Sequence, residues 1–122
     1  MIRVQVKRVY DAAEPQDGMR LLVDRLWPRG LTKEAVACDL WVKDIAPSNE
    51  LRNYFHANME EHWESFALRY QEELAHSPAL VSLVERLKQE KVEAVTLLYA
   101  SRAPLKNHAL ILQEMMQKML QA

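Results

Sequence analysis

The sequence predicts an α/β fold, a single compact domain in which a small, largely parallel sheet is flanked by helices. Residues 95–99 form a β-rich run that is apolar on both alternating faces, as in a parallel strand covered on both sides. Shorter strand-like runs precede it, and segments with helical periodicity separate these runs. The chain has 122 residues and is 49% hydrophobic, so we expect one core and one domain over residues 1–122.

Three more strands are predicted before the run at 95–99. Apolar residues alternate with polar ones over residues 2–7, which indicates an outer strand with one solvent-facing side. After a turn-rich stretch, residues 19–23 are apolar and end abruptly at Asp24, as expected for a central strand. Residues 40–42 form the last strand candidate.

Capping residues mark the starts of three predicted helices. Thr32 precedes a short helix over residues 33–37, and Ser48 precedes a helix that contains residues 51–55. Ser77, followed by proline, begins a helix that ends near residue 91. A final helix is predicted from about Lys106, with methionines filling gaps in the core on its inner side.

One long helix is predicted from the spacing of its large apolar residues. They recur at intervals of three and four: Met59, Trp63, Phe66, Tyr70 and Leu74. Such an aromatic stripe is typical of core packing rather than ligand binding. The acidic residues of the same region then lie on the solvent side: Glu60, Glu61, Glu64, Glu72 and Glu73.

Composition narrows the classes of function. The net charge is -1, so no overall field draws the protein to nucleic acid or to an anionic membrane. The first third is nevertheless basic: Arg3, Lys7, Arg8, Arg20, Arg25, Arg29 and Lys33. The single cysteine, Cys38, is expected to be a small buried hydrophobe. With no signal peptide or long apolar span in the sequence, we expect a cytoplasmic protein that does not enter membranes.

Two loops that follow buried strands carry the candidate site. One loop begins at Asp24, and the other begins after residue 99. The carboxyl ends of parallel strands meet at one edge of a sheet, so Arg25, Arg29 and Arg102 should converge there on an anion. The amino end of the last helix would add its amides to such a pocket.

A structural role for these arginines is the alternative. Arg25 could pair with Asp24 or Asp44, and Arg102 could donate to backbone carbonyls. Trp27 could similarly either stack on a ligand ring or cover the core.

Catalytic candidates are few. His108 is the first candidate for an acid or base, and Asp24 is the candidate that orients or charges it. Ser101 lies near both Arg102 and His108, but no nucleophile-elbow motif surrounds it. The histidines lack the spacing of zinc ligands, and the sequence predicts neither a metal nor a cofactor.

The residues over almost the whole chain resemble one family. The chain is similar to the YeaO-like branch of the bacterial domain of unknown function 488 family, most specifically in the string Asp-Arg-Leu-Trp-Pro-Arg-Gly at 24–30. The other matching positions are residues 22–23, 40–43, 45–48, 96–100 and 107–109, with Tyr70, Leu74 and Arg102. This resemblance implies a small cytosolic α/β protein with no known cofactor. It singles out ten positions: Asp24, Arg25, Trp27, Arg29, Lys43, Ser48, Arg52, Arg102, Asn107 and His108.

The chain departs from that family pattern after its last strand. Members of the branch often have an acidic residue after the arginine, where this chain has Ala103-Pro104. Longer members have a cysteine near the end of the strand and a Cys-His-Arg string at the next helix. Tyr99 and residues 106–109 stand in those places here, which argues against cysteine-based phosphatase or rhodanese chemistry.

Two functions follow as hypotheses. The first is a pocket for a small, phosphate-like anion at the carboxyl ends of the strands, whether or not a reaction follows binding. Its ligand-binding residues would be Arg25, Trp27, Arg29, Lys43, Ser48, Arg52, Ser101, Arg102 and Asn107. The second is a nucleic-acid-associated accessory protein without catalytic activity, which would use the basic first third and Trp27. The oligomeric state stays open.

Overall fold

A computed structural model describes residues 2–122 and contains one sheet of four parallel strands. The strands are β1 (Arg3–Arg8), β2 (Met19–Leu22), β3 (Leu40–Trp41) and β4 (Ala94–Tyr99). They lie in the order β1-β4-β2-β3. The predicted α/β class is confirmed, as are the outer position of β1 and the central position of β2.

The helices also follow the prediction closely. They are α1 (Lys33–Val36), α2 (Asn49–Ala57), α3 (Met59–Ala75), α4 (Pro78–Gln89) and α5 (His108–Gln121), with single 3-10 turns at Pro15–Asp17 and Lys43–Ile45. Thr32, Ser48 and Ser77 each accept a hydrogen bond from a backbone N–H three residues on, as predicted. The helix predicted to end near Lys91 ends at Gln89, because Lys91 has a left-handed backbone with φ of 53°.

The two faces of the sheet are covered differently. Side chains at alternate positions of β4, Val95 and Leu97, belong to the main core with α2–α5. Leu98 points the other way and packs in a smaller cluster with Leu22 and Val36. All six residues of β4 are buried, which confirms the prediction of a strand covered on both faces.

The predicted wet face of β1 is wrong in part. Residues 9–18 connect β1 to β2, and their 3-10 turn lies against β4. Gln5 donates to the carbonyl of Gln16, and Lys7 donates to Asp17. Gln5 and Lys7 are therefore half-buried, because the connection covers the face that alternation alone assigns to solvent.

Two glutamines of α5 cover the free edge of β1. The Gln117 side chain accepts from the Val4 N–H at 3.0 Å and donates to the Ile2 carbonyl at 2.9 Å. Gln113 donates to the Val4 carbonyl at 2.9 Å. These bonds occupy backbone groups that an edge strand otherwise offers to another chain.

Three further expectations concern surface and burial. The acidic residues of α3 are exposed, as predicted: Glu60, Glu61, Glu64, Glu72 and Glu73. Cys38 is half-buried rather than buried, and it packs against the smaller cluster. Within residues 2–122, no helix combines the length and the apolar character needed to cross a membrane.

Candidate functional site

A cleft of about 450 Å³ lies where β2 and β4 end. The loop after β2 forms one side, and the loop from β4 to the start of α5 forms another. Residues at the α2–α3 corner close the third side. The two strand-exit loops thus meet because β2 and β4 are parallel neighbours that end at the same edge.

The cleft gathers all but two of the residues predicted for the site. Those that line it are Asp24, Arg25, Trp27, Arg29, Arg52, Ser101, Arg102, Asn107 and His108. Lys43 lies elsewhere, with its ammonium 4.9 Å from the centre of the Trp41 ring. Ser48 also lies outside, where it caps α2 and donates to Glu73 at 2.6 Å.

Arg25 tethers two segments of backbone. Its guanidinium donates to the carbonyls of Pro47 at 3.0 Å and Ala46 at 3.3 Å. Within residues 2–122 it forms no ion pair with Asp24 or Asp44. Its engaged donors hold the loop after β2 against the start of α2, so this arginine supports the cleft wall.

Asp24 joins the two strand ends. One carboxylate oxygen accepts from the Ala100 N–H at 3.0 Å, and the other lies 3.1 Å from Nε2 of His108. His108 Nε2 also lies 3.1 Å from the Val23 carbonyl. A carbonyl and a carboxylate only accept, so Nε2 must carry a hydrogen, which leaves Nδ1 as the acceptor when the ring is neutral.

Several other predicted residues shape the loops. Ser101 accepts from the Ala103 N–H at 3.1 Å, and buried Asn107 donates to the Ala103 carbonyl at 2.7 Å while capping α5. Trp27 donates to the Leu31 carbonyl at 2.7 Å. These bonds give the cleft a defined shape, and Ser101 forms no hydrogen bond with His108.

Three guanidinium groups in the cleft have no hydrogen-bond or ion-pair partner among residues 2–122. Arg29 and Arg102 are exposed and stand at the rim. Arg52 is half-buried, and its Nε is buried without an acceptor. A buried donor without a hydrogen bond lowers the stability of the folded state by on the order of 1–3 kcal/mol. Such groups are therefore rare in folded proteins.

Sequence reasoning missed the apolar floor of the cleft. Phe55, Met59 and Phe66 line the cleft from α2 and α3, and the Phe55 and Phe66 rings stack with centres 4.2 Å apart. The aromatic stripe of α3 packs on the core as predicted, and part of it also faces the cleft. Helical periodicity gives the buried side of a helix but does not reveal which end of that side stays open.

His56 is a further cleft residue that the sequence did not point to. It lines the cleft from α2. Partial burial lowers its pKa below the usual 6.5, and the positive charges of Arg52 and His108 lower it further. Within residues 2–122, no three His, Cys, Asp or Glu side chains are grouped as metal ligands.

Comparison with known proteins identifies the family. A profile described as "Inactive DUF488-N3 subclade" matches residues 3–122. The uncharacterized protein YeaO of Escherichia coli is 44% identical over 114 residues, which cover 93% of this chain and 96% of YeaO. The uncharacterized protein Rv3073c of Mycobacterium tuberculosis is 43% identical over 114 residues, or 93% of each chain.

No solved structure matches the chain significantly. The family profile and the two relatives nonetheless extend over nearly all of it, including both strand-exit loops. The chain therefore belongs to the YeaO-like DUF488 family, within the subclade described as inactive DUF488-N3.

Proposed function

We propose that the cleft at the carboxyl ends of β2 and β4 binds a small anionic ligand. The observation that carries this proposal is the convergence of three unpartnered guanidinium groups, Arg29, Arg52 and Arg102, on one cavity. Guanidinium groups match phosphate, sulfate and carboxylate with paired donors. The first residue of α5, His108, also lies in the cleft, so the positive end of that helix dipole adds to the attraction.

Arg52 is the central binding residue in this proposal. It is half-buried on α2, so its charge is screened less by solvent than the charges at the rim. Its backbone is fixed within α2, so ligand binding would order only its side chain. Exposed Arg29 and Arg102 would guide the anion and add smaller contributions.

Binding without turnover is the role that the other residues support. Asp24 accepts from the Ala100 N–H, and His108 Nε2 contacts the Val23 carbonyl, so we assign both residues to positioning the cleft. The other oxygen of Asp24 lies 3.1 Å from His108 Nε2 and is buried without a hydrogen bond. The Ser101 hydroxyl has no base hydrogen-bonded to it, and the cleft contains no cysteine. The description of the subclade as inactive agrees with this assignment.

The nucleic-acid alternative has weaker support. It requires the basic first third to be a free surface. Lys7 and Arg20 pair with Asp17, and Arg8 and Arg25 donate to backbone carbonyls. With these cations engaged, few remain to contact a row of phosphates.

The test is thermal unfolding and calorimetric binding with inorganic phosphate, sulfate, organic phosphates and short oligonucleotides at fixed ionic strength. A small ligand at one hundred times its dissociation constant should add about 2.7 kcal/mol to stability. Affinity should change weakly with salt for one small anion and steeply for an oligonucleotide.

Two arginine variants provide the matched comparison. Arg52→Ala should remove the ligand-induced rise in unfolding temperature. Arg3→Ala should keep it, because exposed Arg3 is the first residue of β1 and the cleft lies at the carboxyl ends of the strands. A shift that survives Arg52→Ala, or the absence of any shift in the parent protein, would reject the anion cleft.

The unpaired Cys38 thiol suits a reducing compartment, so we place this binding in the cytoplasm.

A further inference from the structure

The cleft is both cationic and apolar, and the two properties occupy different depths. Phe55 and Phe66 are 4% and 1% exposed, so they form its floor. Arg52 is half-buried, and Arg29 and Arg102 are exposed at the mouth. Arg29 and Arg102 therefore lie further out than the aromatic floor, and Arg52, with its buried Nε, lies between the floor and the mouth.

A bare inorganic anion would use only part of this cavity. A volume of about 450 Å³ is far larger than a phosphate or sulfate ion and lies in the usual range for organic ligands. Trp27, Pro28 and Met59 add apolar surface to the sides. Water held against such surface is easily displaced by an apolar group, and that displacement favours binding.

Resting on the anion cleft proposed above, we infer that its ligand is an organic anion with an aromatic or similarly flat apolar body. The ring lies inward against Phe66 and Met59, and the acidic group faces outward to Arg52 and Arg102. Covering one face of a ring removes enough apolar area from water to raise affinity about tenfold or more.

The experiment compares methyl phosphate, phenyl phosphate and benzyl alcohol by calorimetry at one pH and one ionic strength. The first two carry the same acidic group, and the third carries the ring without the charge. We expect phenyl phosphate to bind at least about tenfold more tightly than methyl phosphate. Benzyl alcohol should bind more weakly than phenyl phosphate, because it gains nothing from the arginines.

Met59→Ser locates the ring. With both ligands measured in this variant, the advantage of phenyl phosphate over methyl phosphate should fall to less than about threefold. Leu68→Ser is the matched control on the same helix, since Leu68 is 69% exposed and lies outside the cleft. Leu68→Ser should change the affinity for neither methyl phosphate nor phenyl phosphate.

The outcomes separate the two proposals. Equal affinity for methyl and phenyl phosphate, both lost in Arg52→Ala, would overturn the aromatic body and leave the anion cleft standing. Tighter binding of benzyl alcohol than of phenyl phosphate would reject the anion cleft and with it this ligand class. The same holds if neither phosphate binds.

Discussion

Two regions of this molecule differ in whether their arginines have partners. On the loop-covered face of the sheet, Arg20 is 5% exposed, and all its contacts are complete: it pairs with Asp17 and donates to the carbonyls of Val36 and Ala37. In the cleft, Arg52 has a buried Nε with no acceptor. We call these regions the closed cluster (Lys7, Glu14, Asp17 and Arg20) and the open cleft.

The comparison shows how an arginine whose donors are all engaged differs from one that the fold leaves without a partner. Both arise in a largely apolar setting, where an unpaired charge is expensive. The closed cluster meets that cost internally, and Asp17 alone accepts from Lys7, Arg20 and the Glu14 N–H. The open cleft leaves this cost unmet at Arg52, and that difference is the basis of the proposed anion site.

The largest effects on stability are expected in the closed cluster and at the glycine beside it. Asp17→Asn removes the charge that neutralises buried Arg20 and should lower the free energy of unfolding by about 3 kcal/mol. Glu14→Gln is the control, since Glu14 is half-exposed and its only ion pair is with Lys7, beside a hydrogen bond from Gln16. The loss in this variant should stay below about 1 kcal/mol. Urea unfolding measures both, and equal losses would contradict the distinction.

The pH dependence of the free energy of unfolding tests the same interaction of the Asp17 carboxylate with Lys7 and Arg20. Burial alone raises the pKa of Asp17, but hydrogen bonds from Lys7, the Glu14 N–H and Arg20 outweigh it and lower the pKa below 3.8. The stabilisation is therefore complete above pH 3.8 and is lost as the pH falls through the folded-state pKa. The Asp17→Asn variant should lose this part of the acid transition.

The closed cluster and the cleft loop each have a glycine with positive φ, and the two glycines differ in the space around them. Gly18 borders the closed cluster with φ of 65°, and an added Cβ would lie 2.2 Å from the Ala94 carbonyl oxygen. Gly18→Ala should destabilise by about 2–4 kcal/mol through strain and collision. Gly30 in the cleft loop has φ of 77° but open space, so Gly30→Ala should lose only about 1 kcal/mol. Thermal unfolding that ranks them the other way would be inconsistent with this packing.

Removing the unpartnered cation should have the opposite sign. Arg52→Met keeps an aliphatic stem and eliminates the unsatisfied Nε, so stability should stay the same or rise by up to about 1 kcal/mol. Chemical denaturation without ligand tests this directly. A loss above about 2 kcal/mol would place Arg52 among the structural arginines, together with Arg20.

The smallest effect concerns His56 and is expected in binding. Partial burial and the charges of Arg52 and His108 lower its pKa in the free protein, and a bound anion should raise it again. The complex then holds a proton that the free protein lacks, so affinity should rise a few-fold as the pH falls below 6.5. His56→Gln should flatten this pH profile in calorimetric titrations, and an unchanged profile would exclude His56 as its source.

Much of the fold was readable from local patterns. The buried strand at 95–99, the capping serines and the amphipathic α3 were all predicted, because each depends on residues close together in the chain. The meeting of the two strand-exit loops was also predictable, since parallel strands share a carboxyl edge. The prediction of a wet face on β1 was wrong in part, because no local pattern shows that residues 9–18 fold back over Gln5 and Lys7.

The roles of the arginines could be distinguished only in the tertiary structure. Arg25 and Arg52 look alike as basic residues near predicted strand and helix ends. Only the fold gives Arg25 the carbonyls of Ala46 and Pro47 and leaves Arg52 with none. The apolar floor was hidden for the same reason, since Phe55 and Phe66 have the same helical periodicity whether or not a cleft opens above them.

The sequence by itself therefore determined the α/β class, the parallel sheet edge where the candidate site lies and the family. Tertiary structure decided which cations are satisfied and which face the open cleft. The physical reason is that secondary structure follows from short-range propensity and periodicity, whereas the pairing of a buried charge depends on which distant backbone groups reach it.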